Sequence, residues 1–445
     1  MKILNATHSI PVSGANSWLE RLASAFSNPL NAGRYPLRTA ITRVGAREAL
    51  VESTLVELEP NAPYRERFHE VELAAPRRKH HQEPTFAVVQ IVPTGVRCEI
   101  GGFAGDACPA TNLLAAAADV LITHPNAVNA SELNEMARNV LYVEGKSLDD
   151  FLLGHLALLP TRSNRIGTFI DPTGFLYVDD VVNTLNAARA VGGIDCSLYM
   201  LAAHEIGVRT EWTRSGCAVG TVQNPSVILD SVERLLAQGV DAIGGVSVIH
   251  GVTAEDFSRH LTGQIPNPSG GIEAIITHLI SKVFRVPSAH APLPYYQNVK
   301  KSATHNPRAS AEFISTPHYL CVLKGLARAP RLVPIERLDQ VSGSLLSLNN
   351  VGAIVVPATC LGGIPALAAQ FSDIPLIAVE ENRTILEVSN DLMQMANVIP
   401  VRTYLEAAGV IIALRHGISL ESVRRPLECA HQLEGSFQAS VAHGS

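Results

Sequence analysis

The feature that most constrains this chain is a series of strand-length apolar runs with no inside–outside alternation. Residues 86–92 are apolar apart from Gln90 and Thr-free to their end, 120–123 read Val-Leu-Ile-Thr, and 165–170, 240–249, 351–356 and 374–379 repeat the type. A strand buried on one face alternates, whereas a strand buried on both does not. These runs therefore predict mostly parallel sheets covered by helices. Each run ends in breakers or polar residues: Pro93-Thr94-Gly95, His124-Pro125-Asn126, Asp171-Pro172, Pro357-Ala358-Thr359-Cys360 and Glu380-Glu381-Asn382. Helical stretches are expected at 109–118, 181–191 and 271–284, the last behind the breaker string Pro266-Asn267-Pro268-Ser269-Gly270. Strand, loop, helix and strand in that order is the pattern of a βαβ unit.

A chain of 445 residues exceeds what one hydrophobic core usually holds. The expected fold is α/β and two-lobed, with mostly parallel sheets flanked by helices and a small N-terminal α+β extension. The lobes are expected at 85–250 and 251–445, after an extension at 1–84 that ends in a Pro-bounded linker at 76–84. The extension holds a helix at 18–25 and strand-like residues at 50–58, and suits a lid, a dimer arm or a docking module. The units at 86–126 and 351–382 share an outline. They read either as a duplication facing across one cleft or as two ordinary βαβ units.

The net charge of −6 argues against a nucleic-acid partner. The basic cluster Arg77, Arg78, Lys79, His80 and His81 reads as a solvated linker. No run approaches the ~20 apolar residues that cross a bilayer, and Asn5, His8 and Ser9 interrupt the apolar start where a signal peptide would lie. The seven cysteines form no CxxC pair, which fits reduced thiols and a cytoplasmic location. A small-molecule substrate is expected and no membrane partner, with a homodimer left open.

The loop at 101–106 follows a strand and opens a helix, a place where backbone N–H groups and the helix dipole meet anions. Its glycines, Gly101, Gly102 and Gly105, do not have the dinucleotide spacing, and the second strand ends in His124 rather than an acid, so NAD is disfavoured. Asp106 reads as a general base or as the cap of the following helix. His124 suits acid–base work or a capped turn with Asn126. Cys108 and Cys360 occupy corresponding loop positions and read as paired thiols or as small packing residues. Glu380 and Glu381 point to opposite sides of an extended chain, so at most one faces a cleft. His278 and His290, with Glu273, Glu380 or Glu381, would make a metal site, but no ligand spacing supports one, so no metal is expected.

An ordered set of strings carries a resemblance: Val92-Pro93-Thr94-Gly95, Gly101-Gly102-Phe103-Ala104-Gly105-Asp106-Ala107, Thr123-His124-Pro125-Asn126, Tyr142-Val143-Glu144-Gly145, Ala289-His290-Ala291-Pro292, Val356-Pro357-Ala358-Thr359 and Val379-Glu380-Glu381-Asn382. Together they resemble the family called domain of unknown function 3326, over roughly 85–420. The resemblance implies a fold and a set of sites but no established activity. A fainter likeness, from Val355 through Cys360 to Ile377, is to the aspartate/glutamate racemase superfamily.

The expectation is an enzyme of small-molecule metabolism acting on a small carboxylate or amino-acid-like substrate. Its chemistry is read as proton transfer (racemase, isomerase or lyase) at a cleft between lobes, without a cofactor. The alternatives are a hydrolase, using a thiol or metal-activated water, and a metabolite-binding regulator without turnover. Asp106, Cys108, His124, Cys360 and Glu380 are the expected catalytic residues. Thr94, Gly101, Gly102, Gly105, Asn126, Glu144, His290, Thr359, Gly362, Gly363, Glu381 and Asn382 are expected to bind substrate.

Overall fold

The computed structural model describes residues 1–14, 17–26, 33–68, 73, 84–293, 308–309 and 318–430. Its centre is a six-stranded sheet in the order Val398–Val401, Leu376–Val379, Val351–Pro357, Ala87–Gln90, Val120–Thr123, Val140–Tyr142. Every neighbouring pair is parallel. All residues of Ala87–Gln90, Val351–Pro357 and Leu376–Val379 are buried, as runs without alternation require.

The two faces of this sheet have separate cores. Val88, Leu121, Val355, Ile377 and Val379 pack with the helices Cys108–Ala117 and Tyr404–Arg415. Ala87, Val89, Ile122, Ile354 and Val356 pack with Gly145–Leu152, Ile364–Phe371 and the N-terminal helix Trp18–Phe26. The result is a helix–sheet–helix sandwich.

A second parallel sheet follows the order Ser288–Pro292, Ala242–Ser247, Ile166–Ile170, Leu198–Leu201. The expected lobe boundary at 250 does not separate the sheets. Ala242–Ser247 pairs with Ser288–Pro292 across it, and the six-stranded sheet takes strands from both ends of the chain. The units at 86–126 and 351–382 therefore lie side by side, joined by the pairing of Val351 with Ala87 and of Val355 with Gln90, rather than facing across a cleft. They wind outward in opposite directions from that central pair.

The first residues form an antiparallel sheet, Lys2–Pro11, Glu48–Glu57, Arg34–Val44. Rather than standing off as an arm, this sheet is built into both modules. Ile41, Val51 and Leu19 join the core of the large sheet. Ile3, Leu37 and Val56 join the core around the helix Gly270–Phe284. Ile41 N–H donates to Gly362 O at 2.9 Å, and Asn5 Nδ2 donates to Glu211 Oε2 at 2.9 Å. The expected linker at 76–84, with its basic cluster, lies outside the described residues except for Pro84.

Gly362 is where the N-terminal sheet seats. A Cβ there would lie 2.1 Å from Ile41 O, a backbone atom that cannot step aside, whereas one on Gly363 would meet only Pro365 Cδ at 3.6 Å. Gly362→Ala is expected to lose about 1–3 kcal/mol through overpacking, and Gly363→Ala to stay within about 0.5 kcal/mol of wild type. Denaturant unfolding of the two variants checks this, and equal effects would contradict the docking described.

Candidate functional site

The large sheet reverses its winding between Ala87–Gln90 and Val351–Pro357, and a crevice above such strand ends is the usual ligand site of open α/β sheets. Here the chain fills that crevice itself. Ala218 N–H donates to Gly95 O at 2.9 Å, and a Cβ on Gly271 would strike Ala218 O at 2.0 Å. Cys98, Cys217 and Cys360 lie in one apolar cluster there. Thr94 is half-buried against Gly270, and Thr359 Oγ1 is 2.9 Å from Thr384 Oγ1.

The glycine loop is tied to itself rather than held open for an anion. Gly101 N–H donates to Asp106 Oδ1 at 2.7 Å, Phe103 N–H to the same oxygen at 3.3 Å, and Arg308 Nε to Asp106 Oδ2 at 2.9 Å. Asp106 is thus a loop brace. It is not the helix cap, a position held by Ala107. Burial moves its carboxyl up, opposed by the Arg308 guanidinium. Gly101 has φ +95° and would place a Cβ 2.1 Å from Val92 Cγ1, so glycine is demanded by conformation and packing alike. Cβ atoms on Gly102 and Gly105 would clash with Cys98 O and Ala130 Cβ, both at 2.2 Å.

Two asparagines expected to touch substrate clamp backbone instead. Asn126 Nδ2 donates to Val92 O at 2.9 Å and to Gly101 O at 3.3 Å. Asn382 is wholly buried; its Nδ2 donates to Ile100 O at 2.8 Å and its Oδ1 accepts from Ile100 N–H at 2.9 Å. Glu380 and Glu381 are both exposed, and Glu381 accepts from Tyr404 N–H at 2.7 Å as a helix cap. Neither thiol is activated. Burial pushes Cys360 up to about 12, opposed by hydrogen bonds from Thr384 and Thr359. Burial also moves Cys108 up.

The concentration of buried charge lies further along the carboxyl edge. Glu144 follows the strand Val140–Tyr142 and caps the helix Gly145–Leu152, accepting from Ser147 N–H at 3.0 Å and Ser147 Oγ at 3.2 Å on Oε2. Its Oε1 accepts from Thr277 Oγ1 at 3.2 Å and is bonded to His278 Nδ1. Burial alone would raise this carboxyl. The His278 ring and the Ser147 and Lys146 N–H groups outweigh it and hold the group at about 2. His278 packs on Gly145, where a Cβ would meet its Cε1 at 2.9 Å. Its side chain keeps 13% exposure against 1% for Glu144.

Around this pair lies a second charged layer. Lys146 is bonded to Asp150. Burial moves Asp149 up to about 7, opposed by Lys146 and His278. Burial, with Lys146, moves Lys282 down to about 7, opposed by Asp150. His278 and Lys282 stand one turn apart on the same helix.

His124 reaches the same region but is closed off. Its Nε2 accepts from Val92 N–H at 2.9 Å, which fixes the proton on Nδ1. Burial lowers it to about 4, against the Glu144 charge. It orders the chain; it is not the acid–base group expected of it. His290 is held elsewhere. Its Nε2 lies 2.8 Å from Ser247 Oγ, and its Nδ1 lies 3.4 Å from Glu273 Oε1. His278 and His290 are thus drawn to different carboxylates, Glu144 and Glu273. Among the described residues no group of three or more His, Cys, Asp or Glu side chains is placed to hold a metal ion. His278 and Thr277 were missed as partners of Glu144. Their signal was faint: an i, i+1 polar pair in a helix dominated by isoleucine and leucine.

The folded His124 titrates below its ordinary 6.5, at about 4, so the unfolded chain binds more protons between those values. Stability is therefore full above 6.5 and falls as pH drops through this window, by roughly 3 kcal/mol. His124→Gln, which keeps an acceptor for Val92 N–H, is expected to flatten that slope. Denaturant midpoints measured from pH 7 to pH 4 test it, and an unchanged slope would contradict a neutral, buried His124.

The family described as "Protein of unknown function (DUF3326)" matches residues 87–424. An uncharacterized lipoprotein of Synechococcus sp. is 35% identical over 341 residues, covering 74% of this chain and 91% of its own length. Neither match is to the racemase superfamily. No solved structure gives a significant match. Among the described residues no helix is long and apolar enough to cross a membrane.

Proposed function

We propose that this chain, which belongs to the DUF3326 family, is an enzyme that moves a proton on a small polar metabolite, with His278 as the acid–base group. The observation that carries this is the bond between His278 Nδ1 and the buried Glu144 carboxylate. A carboxylate there orients the ring, stabilises the imidazolium when it forms, and leaves Nε2 as the working nitrogen. With 13% of its side chain exposed, His278 is not sealed off from a substrate. His124 and the two thiols are removed from the role, the first by its bond to Val92 and the others by burial.

Isomerisation, racemisation and elimination all begin with such a proton abstraction, and the substrate class favoured is a small carboxylate or amino-acid-like molecule. A hydrolase using water activated by the same pair is the second reading. A thiol nucleophile is disfavoured by a Cys360 held at about 12. A cytoplasmic setting is supported by seven cysteines with no disulfide; the name lipoprotein belongs to the Synechococcus relative.

The test is solvent deuterium exchange into a panel of small amino and hydroxy acids. His278→Asn is expected to cut exchange about 10²–10⁴-fold, and Glu144→Gln to cut it with little change in KM. Cys360→Ser and Cys108→Ser are expected to stay within a few-fold of wild type. Exchange that survives His278→Asn but fails in Cys360→Ser would overturn the assignment. Ligand binding without exchange would favour a metabolite-binding regulator.

A further inference from the structure

The strand Leu198–Leu201 ends the four-stranded sheet, and among the described residues no strand pairs with its outer side. It reads Leu-Tyr-Met-Leu, without a charge or a proline, and follows its neighbour in unbroken register. Open edges template pairing with another chain, so they are usually blunted by charge, proline, a bulge or a covering element. The opposite edge, Ser288–Pro292, is buried over residues 288–291 and ends in Pro292. At one edge of the large sheet, Val398–Val401 carries Pro400. Leu198–Leu201 is short but has none of these protections.

The direction of its backbone groups is set by its neighbour. Ala202 N–H donates inward to Ile170 O at 2.9 Å, so Leu198 and Met200, at alternate positions, also bond inward. The N–H and C=O groups of Tyr199 and Leu201 therefore point out from the edge. The side chains divide in the same way, because successive residues face opposite sides of a sheet. Leu198 and Met200 pack on the core around Gly270–Phe284. Tyr199 and Leu201 leave by the other face, 43% and 46% exposed.

A second copy of this strand satisfies both the backbone and the side chains. About a two-fold axis normal to the sheet at Met200, the two strands run antiparallel, and Tyr199 of each copy faces Leu201 of the other. Those are the outward-pointing positions, so each facing pair exchanges two N–H···O bonds. Each exposed Tyr199 ring then covers an exposed Leu201 as a direct cross-strand neighbour. The contact is isologous, and so closes as a dimer instead of growing into a fibre. We propose that the chain forms a two-fold dimer through Leu198–Leu201, joining two four-stranded sheets into one continuous sheet.

The experiment is sedimentation velocity of the full chain across micromolar concentrations, with circular dichroism confirming that each variant is folded. Wild type is expected to pass from monomer to dimer as concentration rises. Tyr199→Lys combined with Leu201→Lys sets like charges at facing positions and is expected to weaken the dimer about ten- to hundredfold. Tyr199→Lys combined with Leu201→Glu sets opposite charges there and is expected to stay within about threefold of wild type. Both positions are exposed in the single chain, so neither double variant disturbs its core. A wild type that stays monomeric would overturn the proposal and leave the edge to a strand of another protein. A dimer unmoved by the double lysine variant, or weakened equally by both variants, would overturn it too.

Discussion

The buried carboxylate of Glu144 is the interaction on which the arrangement turns. It ends a strand of the large sheet, caps the next helix, and reaches across to Thr277 and His278 on a helix of the other module. A lone carboxylate at that depth would take up a proton or drive the modules apart. Four donors, from Ser147, Thr277 and His278, together with the helix N-terminus, keep it charged instead. One residue thus joins the two sheets and sets the orientation of an imidazole. Breaking it by removing one partner would leave the other charge stranded, so structure and chemistry are coupled at this point.

The same economy explains where the site is not. The crevice at the reversal of the large sheet is the customary binding place, yet residues 217 and 218 and the start of Gly270–Phe284 occupy it. The N-terminal sheet then seals its rim through Gly362 and Ile41. The flank of that helix keeps a partly open polar side chain, that of His278.

Much of the fold was legible from the chain alone. Apolar runs without alternation marked the doubly covered strands Ala87–Gln90, Val351–Pro357 and Leu376–Val379, because burial on both faces leaves no polar periodicity. Strand order was not legible. Local pattern does not say that the strand at 351 pairs with the strand at 87, so two neighbouring units were assigned to separate lobes. The site was legible in part. Glu144, His124 and His290 were singled out, but polar residues at strand ends look alike whether they clamp backbone, as Asn126 and Asn382 do, or serve chemistry. Only the partner decides, and Glu144 and His278 are separated by 133 intervening residues, with |i−j| = 134.

The most direct measurement is the protonation of the His278 ring, read by long-range ¹H–¹⁵N correlation NMR on histidine-labelled protein as pH is raised. The account predicts that Nδ1 keeps its proton against Glu144 at alkaline pH while Nε2 becomes the bare nitrogen. A ring that instead keeps its proton on Nε2, with Nδ1 bare, would contradict it, for the nitrogen assigned to the chemistry would then be unable to accept a proton.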